Sequence, residues 1–192
     1  MPDPNPAALD FLLTRRSRPA KTLTTPVPTR AELGPILQAA ARSPDHGKLE
    51  PWRFIVLEKP ALERLAALAG QRGEALEIEP EKVAKMQTQL VQPGLAVAVV
   101  SSPVQSEKVP MVEQLYSAGA VCLSMLNAAL ATGWGANWLS GWASHDRDFL
   151  SQGLGLALHE SLAGFIHIGT ETTAPPERPR PDISKITMWV ES

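Results

Sequence analysis

Residues 109–141 decide the fold of this chain and read VPMVEQLYSAGAVCLSMLNAALATGWGANWLSG. No charged side chain occurs between Gln114 and Thr132. A helix that is apolar nearly all round is normally buried on all sides, so this pattern predicts a buried central helix over 109–132. The helix is expected to stop at Gly133, because glycine commonly ends helices. We expect the rest of the chain to wrap this helix.

Composition limits the possible classes of protein. The 192 residues suit one domain of ordinary size, and 44% hydrophobic residues can form a substantial core. A net charge of −2 gives no basic field that would attract nucleic acid. The four His residues are scattered, and the single Cys122 lies inside the apolar helix. The sequence therefore predicts no nucleic-acid partner, no disulfide framework and no metal site.

A membrane location is not expected either. No basic segment followed by an apolar run opens the chain, so no secretion signal is predicted. The uncharged run 117–131 is short for a membrane span, contains Ser117, Ser124 and Asn127, and lacks basic flanks. We therefore expect a cytoplasmic protein.

The N-terminal part of the chain predicts two capped helices. Residues 5–15 form the first, with Asn5 as the cap. An extended, proline-punctuated segment is expected at 19–28. Thr29 then caps a second helix, because Glu32 stands three residues on and completes a capping box.

Apolar runs separated by helices predict the rest of the fold. Strands are expected at 52–57, 94–100 and 162–169, and helices at 60–70 and 148–158. The polar stretch 71–89 is expected to be an exposed flap that is helical in its second half. Because helices outnumber and separate the strands, an α+β or α/β layer beside the central helix is predicted.

Arg15-Arg16-Ser17 follows the first helix and is a candidate anion site. Two guanidinium groups and a hydroxyl can donate charge-assisted hydrogen bonds to a phosphate monoester. Arginine at a helix C-terminus is also commonplace, since it interacts favourably with the helix dipole. Composition alone favours this second interpretation.

Two further stretches hold candidate ligand contacts. Arg42-Ser43-Pro44-Asp45-His46 places an imidazole at the exit of a turn, and taken alone this stretch favours a plain turn over a ligand contact. In residues 133–141, glycines allow close backbone approach and tryptophans offer stacking area for a flat aromatic cofactor. A glycine cap followed by a packed strand is an even alternative. The sequence has no GxGxxG, GxxxxGK[ST] or GxSxG motif, which leaves little support for a kinase or hydrolase.

Taken in order, these stretches resemble the nitroreductase family of FMN-dependent oxidoreductases. The resemblance covers nearly the whole chain and depends on the order and spacing of six motifs. These motifs are Arg15-Arg16-Ser17, Arg42-Ser43-Pro44-Asp45-His46, Glu50-Pro51-Trp52-Arg53-Phe54, Lys108-Val109-Pro110, Trp138-Leu139-Ser140-Gly141 and Gly164-Phe165-Ile166-His167-Ile168-Gly169-Thr170.

The resemblance implies a fold and an assembly. The fold would be α+β, with a mixed sheet flanked by helices around the long buried central helix. Residues 1–192 would form a single domain and an intertwined homodimer, with FMN bound where the two chains meet. The proline-rich C-terminal arm, about 171–192, would extend onto the partner subunit.

The resemblance also implies roles for particular residues. Arg15, Arg16 and Ser17 would hold the phosphate and ribityl chain of FMN, and Arg42 and His46 would come from the partner subunit. The strand that runs along the flavin would contain Trp138, Leu139 and Ser140. The nicotinamide donor, NADH or NADPH, would lie at the end of the central helix, formed by Ala128, Ala129, Leu130, Ala131, Thr132 and Gly133.

This chain departs from the family pattern at two positions near the flavin. Pro19 stands where larger members often place a basic residue, and Leu139 stands where close relatives have arginine. Arg18, Lys48 and Arg53 are the candidates to replace the missing positive charge.

The expected activity is NAD(P)H oxidation by ping-pong hydride transfer through FMN. A nitroaromatic, quinone or similar small molecule would be the acceptor. The flavin carries the redox chemistry, so no catalytic side chain is predicted. The alternatives are another flavin chemistry on the same fold, of the flavin destructase or dehalogenase type, and a flavin-binding module without catalysis.

Overall fold

The computed structural model describes residues 3–191 and contains seven α-helices and five strands in that range. The helices are α1 (Pro6–Thr14), α2 (Arg30–Ala40), α3 (Lys59–Ala75), α4 (Pro80–Val91), α5 (Met111–Ala131), α6 (Arg147–Leu154) and α7 (Ile183–Ile186). The strands are β1 (Leu23–Thr24), β2 (Trp52–Glu58), β3 (Leu95–Ser101), β4 (Gly135–Leu139) and β5 (Ser161–Glu171). The predicted α+β class is therefore confirmed.

The five strands form one sheet around β5. Neighbouring strands in the order β1-β5-β3-β2 are hydrogen-bonded to each other, and β4 also pairs with β5. Every pairing in the described part of the chain is antiparallel. The mixed sheet that the resemblance implied is thus not what a single chain forms.

Helices cover both faces of the sheet, which explains why β3 is buried along its whole length. Ala96, Ala98 and Val100 belong to the core shared with α3, α4 and α6. Val97 and Val99 belong to the core shared with α2 and α5. Alternate residues of a strand point to opposite faces, so a strand between two helical layers must be apolar throughout.

The central helix α5 is buried on one side only. Val121, Cys122 and Met125 are fully buried, whereas Leu115 is 50% exposed and Tyr116 is 69% exposed. The prediction of burial on all sides is therefore wrong for the single chain. Of the helices in residues 3–191, only α5 is long and apolar enough to cross a membrane, and 44% of its most apolar window is buried inside the fold.

The segment 71–89 also differs from its prediction as an exposed flap. Its first residues extend α3 to Ala75, and α4 follows after a short turn. Met86 and Leu90 are buried, and Gln87 Nε2 donates to the carbonyl oxygen of Ala66 in α3 at 3.0 Å. One face of α4 therefore packs against α3, and the other faces outward.

The predicted helix starts are confirmed. Asn5 Oδ1 accepts from the backbone N–H of Ala8, and the capping box of Thr29 and Glu32 is present. The helix predicted to run to 158 ends earlier, at Leu154, because Gly155 adopts a left-handed conformation with φ of 67°. This conformation satisfies the last turn and stops the helix.

Candidate functional site

Two hydrogen bonds to the backbone of Arg18 hold the segment after α1 against β4. The N–H of Arg18 donates to the carbonyl oxygen of Ala136 at 2.8 Å. In return, Asn137 Nδ2 donates to the carbonyl oxygen of Arg18 at 2.9 Å. The residues Arg15 to Lys21 therefore run alongside β4, and a cavity opens at each end of this segment.

The first cavity, here called the arginine cavity, has a volume of about 320 Å³. It lies between the end of α1 and the end of α5. Its lining includes Arg15, Arg16 and Arg18 from one side and Leu130 and Gly133 from the other. The fold thus brings the predicted phosphate-binding arginines next to the predicted nicotinamide segment.

Arg15 is poised to bind an anion. Its Nη2 donates to Ser17 Oγ at 3.2 Å, while its Nε is buried and has no hydrogen-bond partner in residues 3–191. Burial lowers the pKa of Arg15, and the positive charges of Arg180, Arg16 and Arg18 lower it further. A bound anion would satisfy the buried Nε and offset this repulsion.

The two neighbouring arginines already have partners. Arg16 Nη1 donates to the carbonyl oxygen of Pro176 and lies 3.6 Å from a carboxylate oxygen of Glu177. Arg18 Nη1 lies 3.2 Å from Glu171 Oε1. Within one chain, the start of the C-terminal arm therefore packs against the arginine cavity.

The second cavity, here called the lysine cavity, has a volume of about 520 Å³. It lies between β4, the turn Ala20–Thr22 and the outward face of α4. Asn137 and Leu139 line it from β4, because they are two residues apart and point to the same face of the sheet. The two cavities lie one after the other along the segment from Arg15 to Lys21, and together they are here called the groove.

Trp138 lies on the opposite face of β4 and lines neither cavity. Its Nε1 donates to the carbonyl oxygen of Ala163 at 3.2 Å. The indole lies so close to Gly164 that a Cβ atom there would be 2.0 Å from Nε1. A ligand in the groove would therefore meet the Trp138 backbone, while Ser140 is exposed at the end of the strand.

Arg42 and His46 are not brought to this groove by the single chain. Both are exposed, and His46 Nδ1 lies 2.6 Å from Glu113 Oε2 at the start of α5. Ser117 Oγ donates to the carbonyl oxygen of Pro44 at 2.7 Å and ties the turn to α5. These two residues lie beside the exposed apolar face of α5.

The predicted nicotinamide segment divides into three environments. Leu130 and Gly133 line the arginine cavity, Ala129 is fully buried, and Ala131 and Thr132 are exposed. The side chain of Thr132 bonds back to the carbonyl oxygen of Ala128 at 2.9 Å. One turn earlier, the Oδ1 atom of Asn127 is buried without a partner in residues 3–191.

None of the three proposed replacement cations lines the lysine cavity beside Pro19 and Leu139. Arg18 pairs with Glu171, and Arg53 makes two bonds of 2.7 and 2.8 Å to Glu160. Lys48 is exposed in the turn before β2. The sequence prediction missed Lys21 and Lys85, which do line the cavity. The spacing of Met86 and Leu90, four residues apart, could have shown which face of α4 is buried and which points outward.

The single cysteine is not a candidate for nucleophilic chemistry. Burial raises the pKa of the Cys122 thiol to about 12, so it is protonated and unreactive at neutral pH. Within residues 3–191, no cluster of three or more His, Cys, Asp or Glu side chains could hold a metal ion.

The fold and the site together define a class of protein: α+β, with a cationic groove along an edge of the sheet at the end of its longest helix. The chain belongs to the nitroreductase family, whose model matches residues 12–170. This membership confirms the family that the motifs indicated and, with it, an oxidoreductase class.

Two bacterial relatives and two solved structures show how closely the chain follows the family. It is 34% identical over 163 residues to the Escherichia coli K12 protein named "Putative NAD(P)H nitroreductase YdjA", covering 85% of this chain and 87% of the relative. A Haemophilus influenzae relative is also 34% identical, over 165 residues, covering 85% and 88%.

The solved structures are more distant in sequence and support the fold alone. A nitroreductase-like family protein from Bacillus cereus aligns with a TM-score of 0.81 at 20% identity, over 100% of each chain. A Desulfovibrio desulfuricans protein solved in complex with FMN aligns with a TM-score of 0.75 at 21% identity, over 98% of each chain.

Proposed function

We propose that the protein is an FMN-dependent NAD(P)H oxidoreductase that reduces nitroaromatic, quinone or similar small acceptors. One observation carries the proposal most directly: Arg15, whose buried Nε has no hydrogen-bond partner in residues 3–191, lines the arginine cavity beside β4. The names of the two bacterial relatives and the FMN in the Desulfovibrio desulfuricans structure support the same assignment.

The residues present fit a flavin mononucleotide. Arg15, Arg16 and Ser17 would hold its phosphate and ribityl chain, because an anion satisfies the unpartnered Arg15 Nε and Arg16 can exchange Glu177 for a phosphate oxygen. The backbone from Trp138 to Ser140 would lie along the ring system. Bound FMN would supply the hydride chemistry, accepting electrons from NADH or NADPH and passing them to an acceptor in a ping-pong sequence.

The chain's own part is to bind, orient and balance charge. The positive charge of Arg16 favours an electron-rich flavin through space. The end of α5, residues 128–133, would place the nicotinamide donor. No side chain is assigned a proton-transfer role.

The proposed active form is a homodimer with FMN between the chains. An apolar face of α5 is left open in one chain, and contiguous exposed apolar patches commonly mark interfaces. Its exposed members include Met111, Val112, Leu115, Tyr116 and Leu123. Arg42 and His46 flank this face, so dimerisation would carry them towards the partner's groove.

We further propose that residues 1–192 form a single domain of a cytoplasmic protein. The arm after residue 171 holds several exposed apolar side chains with no packing in one chain, namely Ile183, Ile186, Met188, Trp189 and Val190. A partner subunit would cover them.

An acceptor panel tests the proposed reaction. The purified protein is supplied with FMN and with NADH or NADPH, and nicotinamide oxidation is followed with nitroaromatics, quinones and no acceptor. Acceptor-dependent oxidation is expected. Tight FMN binding without nicotinamide oxidation would instead indicate a binding module, and oxidation that generic acceptors do not accelerate would indicate another flavin chemistry.

A further inference from the structure

One side chain, Arg16, belongs both to the arginine cavity and to the anchoring of the C-terminal arm. Arg16 lines the cavity and is largely buried. Its Nη1 donates to the carbonyl oxygen of Pro176 and lies 3.6 Å from Glu177 Oε1. Within residues 3–191, these are the only hydrogen bond and ion pair that join the arm beyond residue 172 to the rest of the chain.

Glu177 supplies the negative charge of this contact. Its Oε1 accepts from the backbone N–H of Arg178 at 3.1 Å and from Arg180 Nε at 2.8 Å. The bond from Arg178 lowers the pKa of Glu177, and the bond and charge of Arg180 and the charge of Arg16 lower it further. The carboxylate is therefore ionised at neutral pH, and the arm presents an anion to Arg16.

The charged groups that meet at this end of the groove leave a surplus of two positive charges. Four guanidinium groups and two carboxylates take part, namely Arg15, Arg16, Arg18, Arg180, Glu171 and Glu177. A phosphate monoester carries about −1.5 to −2 charges at neutral pH, which this surplus would balance. Loss of the Glu177 charge would raise the surplus and strengthen the attraction for a phosphate.

Arg16 cannot keep its contacts with the arm unchanged and also bind a phosphate. A phosphate oxygen bonded to the same guanidinium would lie on the order of 6 Å from the Glu177 carboxylate, given hydrogen bonds of ordinary length. This separation is shorter than the Debye length of about 8 Å, so the two anions would repel each other with little screening. Glu177 is 63% exposed, and exposed ion pairs are weak enough to be exchanged.

We propose that Glu177 is a built-in competitor of the FMN phosphate for Arg16, through which the C-terminal arm sets how tightly the cofactor is held. The inference rests on the proposed function, because that function assigns the phosphate to the arginine cavity. The arm contact and the phosphate weaken each other by the same factor, as linkage between two ligands of one group requires.

Glu177→Gln tests the competition, because glutamine keeps the size and the Oε1 acceptor and removes the charge. Its dissociation constant for FMN should be about three- to tenfold lower than that of the unaltered protein, and the gain should shrink in 1 M salt. The affinity for riboflavin, which has no phosphate, should stay the same. Asp182→Asn is the matched control, since it removes one charge from the same arm at a residue paired with Lys185.

A double-mutant cycle shows whether the effect passes through Arg16. In an Arg16→Met background, the guanidinium that both anions share is absent, so most of the gain from Glu177→Gln should disappear. A gain that Arg16→Met retains in full, or one of equal size in Asp182→Asn, would show a general charge effect and overturn the inference.

Inorganic phosphate separates this inference from the proposed function. Its dissociation constant, measured by calorimetry, requires neither flavin nor nicotinamide, and Glu177→Gln should lower it by a factor similar to that for FMN. This result supports the competition even if bound FMN oxidises no NADH or NADPH. Affinities for FMN and phosphate that Glu177→Gln leaves unchanged or weakens overturn it, as does the absence of phosphate and FMN binding in both proteins.

Discussion

Replacing Arg15 by methionine separates cofactor binding from folding. Methionine keeps an unbranched apolar stem and removes the guanidinium. The buried Nε of Arg15 has no partner in residues 3–191, and burial, together with the neighbouring arginines, lowers the pKa of the group. The cofactor-free protein should therefore lose little by the change, and its free energy of unfolding should stay constant or rise.

The effect on FMN affinity should be larger for Arg15 than for Arg16. A hydrogen bond to a charged group contributes about 1.5–3 kcal/mol, which corresponds to roughly 10- to 150-fold in affinity for Arg15→Met. Arg16 must first give up the Pro176 carbonyl and Glu177. We therefore expect Arg16→Met to weaken binding by only about 1 kcal/mol, or roughly fivefold.

The assay is titration of cofactor-free protein with FMN, followed by the quenching of flavin fluorescence, alongside thermal unfolding of each variant without FMN. Arg15→Ala combined with Arg16→Ala should weaken FMN binding sharply while leaving helical content intact. Unchanged FMN affinity in Arg15→Met would show that Arg15 does not bind the phosphate and is only a cation at the end of a helix. A larger effect for Arg16 than for Arg15 would contradict the assignment of Arg15 as the main anion contact.

Three other perturbations follow from contacts in the fold. Burial lowers the pKa of His167 from 6.5 to about 4. The free energy of unfolding should therefore be highest above pH 6.5 and fall by roughly 3 kcal/mol as the pH is lowered to 4. Urea unfolding should show this loss, and His167→Gln should remove it. Gly164→Ala should destabilise by about 2–4 kcal/mol, because a Cβ atom would lie 2.0 Å from Trp138 Nε1, and calorimetry should show partial rescue by Trp138→Ala. Leu115→Lys should abolish the homodimer in sedimentation experiments and weaken FMN binding with it.

The histidine and interface variants each have a matched control. His145→Gln alters an exposed histidine and should leave the pH dependence of unfolding as it is. Leu158 is 90% exposed outside α5, so Leu158→Lys should keep the assembly state. Burial of a neutral His167 would be contradicted by identical pH profiles in His167→Gln and the unaltered protein. The Gly164–Trp138 contact would be contradicted by strictly additive effects of Gly164→Ala and Trp138→Ala. The α5 interface would be contradicted by a dimer that Leu115→Lys retains.

Local signals predicted the helix starts and the buried strands. Asn5 and the Thr29–Glu32 pair act within one helical turn, so residues close together in the sequence are enough to predict their capping bonds. The continuous apolar run of β3 predicted a strand between two layers for the same reason.

The exposed face of α5 could not be predicted from composition. The sequence shows that a position is apolar but not whether its own chain or a partner chain covers it. Exposed Leu115 and buried Cys122 therefore give the same signal for burial. The polar residues of 71–89 suggested a flap, although Met86 and Leu90 at i and i+4 already marked a buried stripe.

The site was predictable only in part. The motif Arg15-Arg16-Ser17 identified the arginine cavity through a family resemblance, and the fold places Leu130 and Gly133 beside it. The lysine cavity depends on contacts between segments far apart in the chain, the turn at Lys21 and the helix at Lys85. Such long-range proximity leaves no local pattern in a single sequence.

The spectrum of the purified protein under anaerobic conditions tests the central claim most directly. After incubation with FMN and removal of free flavin, the protein should be yellow, and its visible flavin band should bleach on addition of NADH or NADPH and return when an acceptor is added. A protein that retains no flavin, or a bound flavin that neither nicotinamide bleaches, would contradict the account.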